Sequence, residues 1–174
     1  MLSPEFYIST ANETHAQELT DLSIQTFTDT FAADNKPEDM AKYIAGAMNA
    51  EKLREELQDP VNKFFVAWGA KKMIGYAKLR PNNESESLAN RNPIELERIY
   101  VQHSYHDKKV GAALMAHCIA YAKDQGHDVL WLGVWEHNYR AVKFYQRWGF
   151  ELFGSHPFIL GDDHQTDVLM KKEL

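Results

Sequence analysis

Only one cysteine, Cys118, occurs among the 174 residues. A single thiol cannot close an intramolecular disulfide or supply a cysteine cluster for a metal. It sits in an apolar, helix-like stretch, where a buried and inert thiol is expected. The chain has no run of 18 apolar residues and no secretory leader pattern, so a membrane partner is not expected and a cytoplasmic location is. It also lacks excess positive charge. Nineteen Lys and Arg against 25 Asp and Glu leave a net charge of −6. That balance argues against a nucleic-acid partner, which needs a basic face, and is compatible with a cationic ligand. Neither G-x-x-x-x-G-K-[ST] nor G-x-G-x-x-G occurs, so a P-loop and the main dinucleotide signature are both missing. Repeats and low-complexity tracts are absent too. What is present is 44% hydrophobic residues, enough for one domain over residues 1–174 with a sizeable core.

The patterning predicts alternating strands and helices. "FYISTA" (6–11) reads as a strand, and Thr14 with Gln17 as a capping box before a helix carrying Leu19, Leu22, Phe27 and Phe31. "NKPEDMAKYIAGAMN" reads as a second helix and "AEKLREELQDP" as a short third one that stops before Pro60. "KFFVAWG" and "KMIGYAKLR" form a hairpin, and the polar stretch 81–93 an exposed loop. In the next strand, "IELERIYV", period two places Glu95, Glu97, Ile99 and Val101 on one face and Leu96, Arg98 and Tyr100 on the other. A helix follows from about Val110 to Gln125, then the apolar strand "VLWLGVW" and a helix capped by Asn138. "FELFGSHPFIL" and "TDVLMKK" close the chain as a hairpin around "GDDHQ". The fold class is α/β (α+β with a mixed sheet), in the order β-α-α-β-β-β-α-β-α-β-β.

Between the fourth strand and the following helix lies "HSYHDKKVGAA". Gly111, Ala112 and Ala113 leave the unpaired N–H groups of the first helical turn open to a ligand, and Lys108 and Lys109 add charge. An anion site and a plain surface turn with solvated lysines are equally consistent with this stretch alone.

The last third adds "NYRAVKFYQRWGF" (138–150), which resembles the N-x-x-A-x-x-F-Y-x-x-x-G-F signature of the GNAT superfamily of acyl-CoA-dependent N-acetyltransferases. The element order resembles theirs over essentially the whole chain. In that family the loop after the fourth strand reads Q/R-x-x-G-x-G/A, and its backbone N–H groups wrap the pyrophosphate of coenzyme A. The resemblance therefore implies acetyl-CoA as co-substrate, held by His106, Asp107, Lys108, Lys109, Val110, Gly111 and Ala112. Ile99, Tyr100 and Val101 would contact the pantetheine arm, together with Asn138 and Tyr145. His106 stands where the family has Gln or Arg, and Lys109 where it has Gly; a lysine forced to positive φ there costs about 1 kcal/mol. "TFTDTF", "IELERIYV", "WLGVWEHN" and "GDDHQTDVLM" further resemble the Pai-type spermidine/spermine acetyltransferases, which implies a polyamine acceptor.

Acetyl transfer to an amine needs a neutral nucleophile, a donor for the oxyanion and a proton for the leaving thiolate. The family resemblance makes Tyr145 the general acid, although its spacing with Ala141, Phe144 and Trp148 also fits a core tyrosine. Glu97 matches the acidic position of polyamine-acetylating relatives; a solvated edge carboxylate is the competing reading. Glu95, Glu97 and Glu136 are the expected substrate contacts. Asp162, Asp163 and Asp167 suit either a cation-attracting mouth or a polar hairpin tip. Trp131 and Trp135, near Glu136, suit either a cation–π site or core packing, of which core is expected. The two His and three Asp of "SHPFILGDDHQTD" lack ligand spacing, so no metal is expected. The alternatives are a protein N-terminal or lysine acetyltransferase, or a non-enzymatic acetyl-CoA sensor. A homodimer is compatible with all of these.

Overall fold

The computed structural model describes residues 5–83 and 85–174, so position 84 of the expected polar loop lies outside the described residues. Strand β1 (Tyr7–Thr10) leads into three helices, α1 (Ala16–Phe31), α2 (Pro37–Ala47) and α3 (Ala50–Gln58). Strands β2 (Lys63–Trp68), β3 (Met73–Pro81) and β4 (Pro93–Val101) follow. Helix α4 (Val110–Asp124), strand β5 (Val129–Trp135) and helix α5 (Tyr139–Arg147) precede a final hairpin of β6 (Glu151–Leu160) and β7 (Asp163–Glu173). The short 50–58 stretch is thus a third α-helix before β2, one more than the expected order counted.

Local chemistry explains the element ends. Pro37 occupies the first turn of α2, with Glu38 and Asp39 beside it to complement the dipole. Asn49 caps α3 by accepting from the Lys52 N–H at 2.9 Å. The capping box near the start of α1 is not Thr14 with Gln17. Asn12 accepts from the Thr14 N–H at 3.0 Å, and the Asn12 N–H donates to His15 Nδ1 at 3.1 Å, so the box closes a short 3₁₀ turn instead. Asparagine outranks threonine as a cap, which is the reason for the shift.

The seven strands form one sheet in the order β1-β2-β3-β4-β5-β7-β6. Every neighbouring pair is antiparallel except β4 and β5, which run parallel. Helices α4 and α5 cover one face, over Leu96, Leu114, Cys118, Leu132 and Tyr145. Helices α1 to α3 cover the other, with Leu19, Leu22, Leu53, Phe64 and Tyr76 in one cluster and Phe27, Met40, Met48 and Leu160 in a second. Each such fully buried aliphatic side chain contributes roughly 1.5–3 kcal/mol.

Two irregularities shape the middle of the sheet. The β3–β4 register slips between Lys78, which faces Arg98, and Leu79, which faces Leu96. Glu97 is the extra residue of a β-bulge, and the period-two alternation breaks there. Leu96, Ile99 and Val101 therefore share the α4 face, while Glu95 and Tyr100 partner Arg80 and Tyr76 on the other. The expected grouping of Glu95 and Glu97 with Ile99 and Val101 is corrected by this bulge. The second irregularity is the β4–β5 pair, which holds for only Pro93, Ile94 and Glu95 against Val129, Leu130 and Trp131 before the strands part.

Candidate active site

The parting of β4 and β5 opens a cavity of about 690 Å³ that passes from the α4–α5 face to the α1–α2 face. Its α4–α5 side is lined by Ile99, Val101, His106, Asp107, Gly111, Asn138 and Tyr145. Its other side is walled by Phe27, Phe31, Tyr43, Trp135 and Phe158, with Glu95, Glu97, Arg98, His156 and Asp167 among them. Trp135 packs edge-on against Phe31, and Tyr43 against both Phe27 and Phe158, so the aromatic wall is continuous.

On the first side, helix α4 starts without any side-chain cap. The first intrahelical acceptor bond runs from the Ala113 N–H to the Lys109 carbonyl, so the N–H groups before it are the donors of an uncapped helix start. Gly111 faces the cavity, and a Cβ built there would meet only Phe144 at 3.7 and 3.8 Å and Val101 at 3.9 Å. An uncapped helix N-terminus behind a glycine fits a phosphate-bearing ligand. Lys109, the N-cap, has φ of 62° and is the one non-glycine residue at positive φ among the described residues. A Lys109→Gly variant is expected to raise stability by about 0.5–1 kcal/mol, read from the urea midpoint, because it removes the left-handed strain. A Lys109→Ala variant should not, since it keeps a Cβ.

The side chains of the loop divide by role. Lys108 turns away from the cavity to pair with Glu5 at 3.0 Å, and its Nζ also lies over the Tyr105 ring. Val110 is fully buried core. The expected charge contribution of Lys108 is therefore spent on Glu5, while Lys109, Val110 and Ala112 offer backbone only; none of the four lines the cavity. His106 donates from Nε2 to the Val101 carbonyl at 2.8 Å, which ties the loop to the end of β4. Burial lowers its pKa against the opposing hydrogen bond to Val101, with Arg140 and His103 adding to the effect, which favours the neutral ring. Asn138 accepts from the Ala141 N–H at 3.3 Å as the cap of α5 and also lines the cavity.

Tyr145 is 8% exposed, packs against Phe144 and Phe150, and lines the cavity. Burial raises its pKa, so the phenol keeps its proton. Burial likewise pushes the Cys118 thiol up to about 12, which makes it the inert core residue expected.

On the second side, the β4 carboxylates are already matched by cations of the chain. Arg80 Nε donates to Glu95 at 2.7 Å, and Asn82 donates to the same oxygen at 2.8 Å. Lys78 Nζ lies 2.5 Å from Glu97 and 3.0 Å from Glu56. Arg98 donates both arms to Glu56, at 2.9 and 3.0 Å. Burial works to raise the Glu56 pKa, but Arg98 and Lys78 outweigh it and hold the carboxyl below its ordinary range. Glu136 does not join this group: it lies at the surface 3.6 Å from His137 and does not line the cavity, because it follows the last residue of β5. Sequence reasoning missed Glu56, Lys78 and the aromatic wall, which come from distant elements. It also missed the His156–Asp167 pairing, which the hairpin register could have revealed. Among the described residues, no group of three or more His, Cys, Asp or Glu could hold a metal ion, and no helix is long and apolar enough to cross a membrane.

Comparison with known proteins agrees with this geometry. Residues 17–150 match the Acetyltransferase (GNAT) family. An uncharacterized N-acetyltransferase in the pepI 3′ region of Lactobacillus delbrueckii subsp. lactis is 39% identical over 163 residues, covering 94% of each chain. An uncharacterized N-acetyltransferase of Mycobacterium bovis is 32% identical over 161 residues, covering 92% of this chain and 99% of that one. The crystal structure of the PaiA N-acetyltransferase from Thermoplasma acidophilum, in complex with coenzyme A, superposes with a TM-score of 0.81 at 21% identity, over 97% of this chain and 99% of that one. A mixed sheet split between its two parallel strands, an uncapped helix behind Gly111 and a family match over most of the chain lead to one conclusion: this protein belongs to the GNAT family and is an acetyl-CoA-dependent N-acetyltransferase.

Proposed function

We propose that acetyl-CoA enters from the α4–α5 side, with its pyrophosphate on the N–H groups around Gly111, and that the acceptor amine enters from the aromatic α1–α2 side. The observation that carries this reading is that one cavity crosses the sheet between an uncapped helix start and an aromatic chamber. Tyr145 sits between the two and retains its proton, which suits it to protonate the departing thiolate. Gly111→Glu places a carboxylate against the anion site. Wild type with acetyl-CoA at 100 times Kd should gain about 2.7 kcal/mol, seen as a rise in Tm. Gly111→Ala should keep that rise, because its Cβ meets only ordinary contacts. Gly111→Glu should lose it while staying folded. A retained rise in Gly111→Glu removes the anion site from Gly111.

For the acceptor, the chamber favours a primary amine on an apolar or aromatic body. Glu95 and Glu97 are compensated by Arg80 and Lys78, which reduces the negative charge available to a string of ammonium groups. The polyamine acceptor, first by the Pai-type resemblance of "IELERIYV" and "GDDHQTDVLM", becomes the second reading on this charge balance. A thiol-release screen over phenethylamine, tyramine, spermidine, spermine and alanine-terminated peptides separates them. Phenethylamine or tyramine is expected to give the highest kcat/KM. A higher value for spermidine, with a KM that rises with salt, would reinstate the polyamine.

A further inference from the structure

The acceptor arrives as an ammonium ion, so some group must take a proton before nitrogen can attack. Glu97 is the acid nearest the bulge, but it lies within ion-pair distance of three cations, Lys78 at 2.5 Å, Arg80 at 3.7 Å and Arg98 at 3.8 Å. Glu95 accepts from both Arg80 and Asn82. On the opposite flank of the same chamber stand two residues of the last hairpin, His156 and Asp167. They are direct cross-strand partners on β6 and β7, both line the cavity, and His156 Nε2 lies 3.6 Å from Asp167 Oδ2.

The strand beside them makes room for the pair. Gly133 of β5 lies next to it, and a Cβ at that position would come within 3.3 Å of His156 Nε2 and 3.4 Å of Asp167 Oδ2. The first contact is tighter than most real Cβ contacts, and the second is at the edge of ordinary van der Waals contact. The aspartate is the more enclosed of the two: its side chain is 15% exposed, against 42% for the imidazole. Burial raises the Asp167 pKa, while the adjacent His156 draws it back. Tyr43 of α2 lines the same cavity as Arg98, Glu97 and Asp167, so the two flanks share one chamber.

We infer that His156 takes the proton from the acceptor ammonium, and that Asp167 is the positioning residue that fixes which ring nitrogen does so. This rests on the α1–α2 chamber being the amine side. With Nε2–H directed at Asp167, Nδ1 holds the free lone pair, as a carboxylate partner imposes on an imidazole. The ammonium gives one proton to Nδ1, directly or through one water. The freed nitrogen lone pair forms the C–N bond at the thioester carbonyl. Collapse of the adduct breaks the C–S bond, and the thiolate takes the Tyr145 proton. The second proton on nitrogen restores the phenol, and the imidazolium releases its proton to solvent. The sum is one amide, one thiol and one proton.

The test compares two acceptors. Phenethylamine is an ammonium at neutral pH and needs a base, whereas methoxyamine is already neutral there and does not. His156→Gln should lower kcat/KM for phenethylamine by about 10²-fold or more and for methoxyamine by far less. Asp167→Asn should give a smaller loss with the same selectivity. In ¹⁵N histidine spectra of the whole protein, His156 should appear as the Nε2–H tautomer, and Asp167→Asn should abolish that bias. Equal losses for the two amines in His156→Gln overturn the inference. So does a selective loss of phenethylamine turnover in Glu97→Gln and not in His156→Gln, since the proton would then go to Glu97. A tautomer unaffected by Asp167→Asn overturns the positioning role. If wild type turns over neither amine, the aromatic-amine reading fails separately, and the spectra still decide the pair.

Discussion

Tyr145→Phe is expected to lower kcat by about 10²- to 10⁴-fold while the protein stays folded and keeps its acetyl-CoA affinity. The argument runs through packing first. The ring sits against Phe144, Phe150 and the core around Cys118, and phenylalanine fills the same space. The urea midpoint should therefore move little. The lost group is a single hydroxyl at the cavity wall. Because burial raises its pKa, this hydroxyl is protonated across the working range and can serve as a donor. A thiolate leaving without that donor must take its proton from water, which is slower. Stopped-flow thiol release together with acetyl-CoA titration checks the two halves. Unchanged turnover would make Tyr145 a core residue only.

Lys78→Met is expected to cost about 3–5 kcal/mol of stability, the range seen when one partner of a buried ion pair is removed. Lys78 is 3% exposed and stands between Glu56 and Glu97. Methionine fills the stem but leaves Glu56 with Arg98 alone and Glu97 with only its longer contacts, 3.7 Å to Arg80 and 3.8 Å to Arg98. The pH dependence should become shallower. In wild type the Glu56 pKa is held below its ordinary value of 4.5, so its contribution is present above that value and lost as pH falls through the folded value. In Lys78→Met Arg98 still holds the Glu56 carboxyl down but the Lys78 contribution is gone, so lowering pH from 7 toward 5 should cost the variant less stability than wild type. Urea melts at both pH values read this directly. The double variant with Glu97→Gln should recover part of the loss.

Much of the architecture was legible in the chain because helix ends and strand periods are local. The hairpin of β2 and β3, the apolar run of β5 and the Asn138 cap all follow from neighbours within a few residues. Two of the errors are errors of register, which counting at a fixed period cannot detect. Counting by two along "IELERIYV" assigns faces correctly up to Glu97 and wrongly from Arg98 on, because Glu97 occupies the bulge. The closing hairpin fails in the same way. A five-residue loop over "GDDHQ" misaligns the strands, whereas the actual connection is two residues, with Gly161 at φ 64° and Leu160 paired with Asp163. The short turn places His156 opposite Asp167, so the loop length alone hid that pair. The buried partners of Glu97 were out of reach for another reason: Glu56 belongs to α3 and Lys78 to β3, and no local pattern links them to β4.

The parting of β4 from β5 has a further meaning for how the chain keeps to itself. From Leu96 onward, the β5-facing edge of β4 lacks a strand partner, and such an edge elsewhere would template fibril-like association. Here it lies at the bottom of a crevice between α5 and the aromatic wall, and His106 blocks its far end by claiming the Val101 carbonyl. An edge recessed in this way is screened from pairing with a neighbouring chain by the side chains that line the crevice.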